Sequence, residues 1–159
     1  MITAHLPSGY VLSHMAGWQK SVAVAAIVGA GFPDIDLLWY FYVDNTSIHH
    51  HRYWVHAPAF ALGAGALLVL ALHPFAPRLR AVGIAFAAGW FLHICLDGLV
   101  GEIMWLWPIN DTLYAMIDQP PSGGQLVSAR LLQWSFFLEL PIWASAIYFF
   151  FSKGRRVVE

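Results

Sequence analysis

Residues 81–99, AVGIAFAAGWFLHICLDGL, are an apolar run with no charged side chain before Asp97. About 20 apolar residues in a helix cross about 30 Å of hydrocarbon, so this stretch reads as a membrane helix. Two polar residues interrupt it, His93 and Asp97, four positions apart and therefore on one helical face, one turn apart. Ionisable groups near hydrocarbon are costly and persist mainly where they pair, bind ions or do chemistry. That spacing lets an imidazole and a carboxylate bind one cation; equally, the two can satisfy each other by a hydrogen bond. Cys95 points to the opposite face and reads as packing.

The rest of the chain has the same character. Of 159 residues, 59% are hydrophobic and only 11% charged, where a soluble domain carries roughly a quarter charged residues. Composition therefore selects the membrane class. Eight Trp fit interfacial belts. The segment MITAHLPSGY lacks a basic n-region and is not read as a cleaved signal. One cysteine excludes an intrachain disulfide and a Cys-type zinc site. A net charge of −1 argues against a nucleic-acid partner.

The fold expected is an all-α, polytopic membrane helical bundle forming one domain over residues 1–159. Three full spans are predicted, at 57–72, 81–99 and 131–151, preceded by a short helical hairpin of residues 7–17 and 19–32. The hairpin turns at Gly17-Trp18-Gln19-Lys20, and its arms are too short to span fully; they are re-entrant or packed inside the bundle. Gly63, Gly65, Ala61, Ala64 and Ala66 allow close helix approach. Turn signals at Trp107-Pro108, Gln119-Pro120-Pro121 and Ser122-Gly123-Gly124 make 101–130 a cap or loop over one end.

Charge placement orients this bundle. In alternating topology one end collects Lys20, Arg78, Arg80, Lys153, Arg155 and Arg156. The other has Arg52 and Arg130 with Asp34, Asp36, Asp44, Asp97, Glu102, Asp111 and Asp118. The positive-inside rule places the first end, and the C-terminus, in the cytoplasm. His5, Asp34 and His93 then lie 13 to 14 residues from Trp18, Lys20 and Arg80. At ~1.5 Å rise per residue all three reach about 20 Å above the cytoplasmic boundary, towards the outer face.

Further candidate ligands come from His51 and His56 in HHHRYWVHAP (49–58) and from Asp34 and Asp36 in FPDID (32–36). His51 and His56 are five apart and share no helical face, so a loop must bring them together before a helix begins near Val55 or His56. Asp34 and Asp36 follow Pro33 and, in an extended turn, face one side. Arg52 has the fork to neutralise a carboxylate or hold a phosphate. His49 and His50 read as solvated neighbours, His14 and His73 as interfacial, and Glu139 as a satisfied buried carboxylate. Mixed His and Asp ligands without Cys suit zinc, with manganese as the alternative, one or two ions in number. A bound ion brings the pKa of its water near neutrality, and a spare carboxylate, Asp36 or Asp34, serves as general base.

The order His5, FPDID (32–36), HRYWVHA (51–57) and HICLDGLVGEIMWLWP (93–108) resembles the YdjM-like family of bacterial inner-membrane, metal-dependent hydrolases. That family's pattern is an N-terminal His, PDxD, HRxxTHS, and an HxxxD helix followed by Trp-Pro. The resemblance covers roughly residues 1–110. It implies a metal-site role for His5, Asp34, Asp36, His51, His56, His93 and Asp97, and Arg52 matches the arginine of the HR pair; the site expected takes His5, Asp34, His51, His56, His93 and Asp97 as ligands, with Asp36 and Arg52 in catalysis. The family's Thr-His-Ser is here Val55-His56-Ala57, Leu37 stands where relatives often have His, and Leu99 and Val100 replace a common Thr. The function expected is membrane-bound hydrolysis by a metal-activated water, on a phosphoester or lipid-like substrate at the outer face. The alternative is a metal-binding or transport component without hydrolysis.

Overall fold

The computed structural model describes residues 3–75, 77–117 and 134–152, the side chains of 134 and 135 excepted. Six α-helices are present among them: α1 (His5–Met15), α2 (Lys20–Gly31), α3 (Asp36–Tyr42), α4 (Pro58–Leu72), α5 (Pro77–Val100) and α6 (Trp134–Ser152). Short 3₁₀ turns cover Pro33–Ile35, His50–Arg52 and Trp54–His56. The all-helical expectation holds. Gly17, in the left-handed region at φ 65°, turns the α1–α2 hairpin where expected.

Three full spans are not established by the described helices. By length and composition one helix, α5 with 24 residues, can cross a membrane. A second qualifies only if Lys20–Gly31 and Pro33–Tyr42, bent by 49°, count as one broken span. The bend falls at Pro33, which has no N–H to continue the ladder of α2. Pro58 opens α4 and its last helical residue is Leu72, two before Pro74, giving 15 residues or roughly 22 Å. The start of the expected 131–151 span lies outside the described residues; its apolar helix continues to Ser152.

Packing is by small and polar residues, with the large apolar side chains outside. Ala26, Ala30 and Ala85 are fully buried, as are His56 and His93, while Leu67, Leu70, Phe150 and Phe151 are about two-thirds exposed. Water would drive the opposite arrangement; a lipid solvent has no such preference, and helices then associate through close backbone approach. The closest approach is between α2 and α5. A Cβ on Gly29 would lie 2.1 Å from the Phe86 carbonyl oxygen, and one on Gly89 2.1 Å from that of Ala26. This contact was not read from the sequence, which pointed to α4. There, Gly65 does pack closely on Ala87, but Gly63 faces open space.

The helices alternate in direction, so His5, Asp34, Pro58, His93 and Asp97 collect at one end. Lys20 and Arg78 collect at the other, where Arg78 donates to Ser21. Lys153, Arg155 and Arg156 lie outside the described residues. At the ligand end, residues 101–117 fold back as the expected cap: Ile103 and Tyr114 exchange backbone hydrogen bonds of 3.0 and 2.9 Å, and Met116 N–H bonds Gly98 O. Residues 118–130 lie outside the described part.

Replacing Gly89 with Leu should force α2 and α5 apart, because the obstructing atoms are backbone and cannot rotate away. A loss of about 1–3 kcal/mol or more in thermal or denaturant unfolding in detergent is expected, whereas Gly63→Ala should change stability by less than about 1 kcal/mol. Equal effects of the two would contradict this packing.

Candidate metal centre

Four imidazoles converge on the Asp97 carboxylate. His5 Nε2 lies 3.1 Å from Oδ1, and Oδ2 lies 3.0 Å from His93 Nε2, 3.4 Å from His51 Nε2 and 3.8 Å from His56 Nε2. His93 Nε2 and His56 Nε2 are 3.3 Å apart. Asp97 and His5 are 2% exposed, and His56 and His93 are completely buried. Three ligand groups emerge: His5 with His93 and Asp97; Asp34 with His56 and His93; and His50 with His51 and His56. All six ligands expected from the sequence therefore meet at one place.

Local structure explains how each arrives. His93 and Asp97 share a face of α5 by their four-residue spacing. The bend at Pro33 releases carbonyls at the end of α2, and His93 Nδ1 lies 2.7 Å from Ala30 O. A carbonyl only accepts, so Nδ1 carries the proton and Nε2 turns its lone pair into the cluster. The same logic fixes His51, whose Nδ1 lies 2.8 Å from Glu102 O in the cap. His51 and His56 converge because two 3₁₀ turns are joined by an extended Tyr53, and helix α4 begins only at Pro58. Trp90, buried on α5, donates to Val55 O at 2.8 Å and pins that loop down. His5 stacks on the His93 ring with centroids 3.7 Å apart. Its position at the head of α1 is held from α6: Thr3 N–H and hydroxyl both donate to Glu139, and Trp143 Nε1 donates to Thr3. Glu139 is thus the satisfied buried carboxylate expected.

Some residues stand differently from expectation. Asp34 and Asp36 sit on a 3₁₀ turn and the first residue of α3, not an extended turn. The turn sends them to separate places. Asp34 is about one-third exposed, 3.8 Å from His93 Nε2. Asp36 is buried, 2.9 Å from His56 Nδ1 but off the hydrogen-bond line, so that neither carboxylate oxygen nor Nδ1 has a hydrogen-bond partner among the described residues. Arg52 does not enter the cluster; nearly half exposed, it pairs with Asp111 at 3.8 Å. His50, read as solvated, is half-buried with its ring 4.0 Å from that of His51. The sequence signal for it was only the composition of the His tract.

Electrostatics favour a cation. Burial, then neighbouring imidazoles, lower the pKa of His56 and of His50 to about 3, so both are neutral with lone pairs available. The Nε2 atoms of His51 and His93 converge on the Asp97 carboxylate, an arrangement that positive charge at their meeting point would stabilise. Ligand atoms sharing a tetrahedral ion at about 2.0–2.1 Å lie about 3.3 Å apart. The separations of 3.0 and 3.4 Å from Asp97 Oδ2 to His93 and His51, and of 3.3 Å between the His56 and His93 Nε2 atoms, are close to this, with His56 Nε2 farther from Oδ2 at 3.8 Å.

The YdjM inner membrane protein family matches residues 1–155, and the chain belongs to that family. No curated protein matches it. No solved structure matches it either.

His93→Ala and Asp97→Ala should each reduce bound divalent metal by at least tenfold in detergent-purified protein, measured by elemental analysis. Arg52→Ala should leave metal content unchanged. Equal metal in all three variants would argue for a purely structural His–Asp network.

Proposed function

We propose that this member of the YdjM family is a membrane-bound, zinc-dependent hydrolase acting on a phosphoester or lipid-like substrate. The observation that carries the reading is the pair of backbone clamps, Ala30 O on His93 and Glu102 O on His51, which aim two Nε2 lone pairs at one buried carboxylate. A mere His–Asp hydrogen bond needs no such second imidazole. His5, His93 and Asp97 would hold the ion, a set of three ligands that leaves a position open, as catalytic zinc sites do. Once bound, zinc would acidify a coordinated water and polarise an ester or phosphoryl oxygen; manganese is the alternative occupant.

The protein's own groups divide the remaining work. Asp34 is the better-placed proton acceptor, since it reaches both the cluster and solvent, whereas Asp36 is buried beside His56. Arg52, exposed next to His51, would exchange Asp111 for an anionic group of the substrate. The cap of residues 101–117 limits water around the buried ligands. With Lys20, Arg78 and Arg80 at the far end, the positive-inside rule turns the site outward and the C-terminus to the cytoplasm. Substrate would then arrive from the outer leaflet or the outer aqueous face. A transport role is disfavoured by the interiors of α4 and α5 below the cluster, which offer Ala61, Gly65, Ala85 and Gly89 and no polar path.

Purified protein assayed against phosphoester and carboxylic ester panels should show turnover that disappears on chelation and returns with zinc. Asp34→Asn should lower kcat by roughly 10²–10⁴-fold with metal retained. Stoichiometric metal with no metal-dependent turnover on any panel would remove the hydrolase reading and leave a metal-binding protein.

A further inference from the structure

The cluster contains more ligands than one ion uses. Oδ1 of Asp97 faces His5, and Oδ2 faces His93, His51 and His56, with His50 beside His51 and Asp36 beside His56. His50, His51 and His56 bring ligand nitrogens within 4.8 Å of one another, a group separate from His5, His93 and Asp97. Their ring centroids are 4.0 to 5.3 Å apart. Several buried atoms here lack a hydrogen-bond partner among the described residues: His50 Nδ1, His56 Nδ1 and both oxygens of Asp36. Leaving such a group unpaired in the interior is costly, and a charged one more so. Four of them within one loop and the adjoining helix start are hard to sustain without a shared positive charge. Asp97 links the two groups, with Oδ1 against His5 and Oδ2 lying 3.0 Å from His93 while also facing His51 and His56.

We infer that His50, His51 and His56, with the Asp36 carboxylate, form a second divalent-cation position, joined to the first through Asp97. The inference rests on the reading of the cluster as a metal centre and extends it from one ion to two. It also gives His50 a ligand role, although His50 lies one residue ahead of the His51-Arg52 pair and outside the stretch that carries the family resemblance. Three imidazoles and a carboxylate select a borderline ion such as zinc over magnesium or calcium, which prefer oxygen ligands.

The test is metal stoichiometry of the full chain in detergent after dialysis against zinc, with manganese-loaded protein followed by electron paramagnetic resonance. The unaltered protein should hold two ions per chain and give a spin-coupled manganese signal. His50→Ala should hold one ion and give an uncoupled signal, and the ion it retains reports that the first position is still folded. His73→Ala, at the opposite end, should still hold two. One ion in the unaltered protein, unchanged by His50→Ala, would overturn the second position while leaving the metal centre standing. No ion in the unaltered protein would overturn both readings. Loss of all metal from His50→Ala with an unaltered unfolding temperature would show a single site that needs His50, which also overturns the two-position inference.

Discussion

The buried His/Asp cluster depends on how closely α2 approaches α5. Gly29 and Gly89 let the two backbones come within a distance that no side chain would permit. That approach sets the Ala30 carbonyl beside His93 Nδ1, and a hydrogen bond of 2.7 Å then fixes the tautomer and the ring. His93 is the hub: it touches Asp97, His56 and Asp34 through Nε2 and stacks on His5. A shift of one ångström between these helices would therefore misplace ligands contributed by four segments. In lipid no hydrophobic force presses the helices together, so dispersion contact along the glycine and alanine seam must do so.

Burial gives the centre its chemical character. Imidazole is easily kept neutral by burial, whereas a carboxylate deprived of water must find positive partners or hydrogen-bond donors. Asp97 has four imidazole nitrogens within 3.8 Å, and two of them are turned as acceptors by backbone carbonyls. Protonating the set would place several cations within a few ångströms of one another. A single divalent ion resolves the same conflict with one charge centre and uses the lone pairs as they already point.

Much of this was legible in the chain because it follows from periodicity. The spacing of His93 and Asp97 on α5, the Pro33 break and the gathering of charge at opposite ends all came from residue type and position. Other features depend on the third dimension. Hydropathy alone does not set how far each helix reaches, since Pro58 and Pro74 hold α4 to 15 residues. The α2–α5 seam was missed because VAAIVGAG looks like any small-residue run, and only the partner helix shows which glycine is needed. Backbone clamps such as Glu102 O are invisible to side-chain motifs. His50 was set aside because a neighbour in a His tract carries no periodic signal, and only the 3₁₀ turn decides which way it faces.

The loop of residues 49–57 shows why the centre needs an irregular backbone. A helix through this segment would have put His51 and His56 on different faces, five residues apart. Two short 3₁₀ turns with extended Tyr53 between them change the angle, bringing the two ring centroids to 5.0 Å. Non-helical backbone is costly in hydrocarbon unless its polar groups are satisfied within the protein. Trp90 satisfies Val55 O, and the cap answers His51 through Glu102. The loop thus lies beneath a lid of chain, not bare to lipid, and α4 starts as soon as the ligands have been delivered. That loop and the cap come from opposite sides of α5 in sequence, and both close on the same His/Asp cluster.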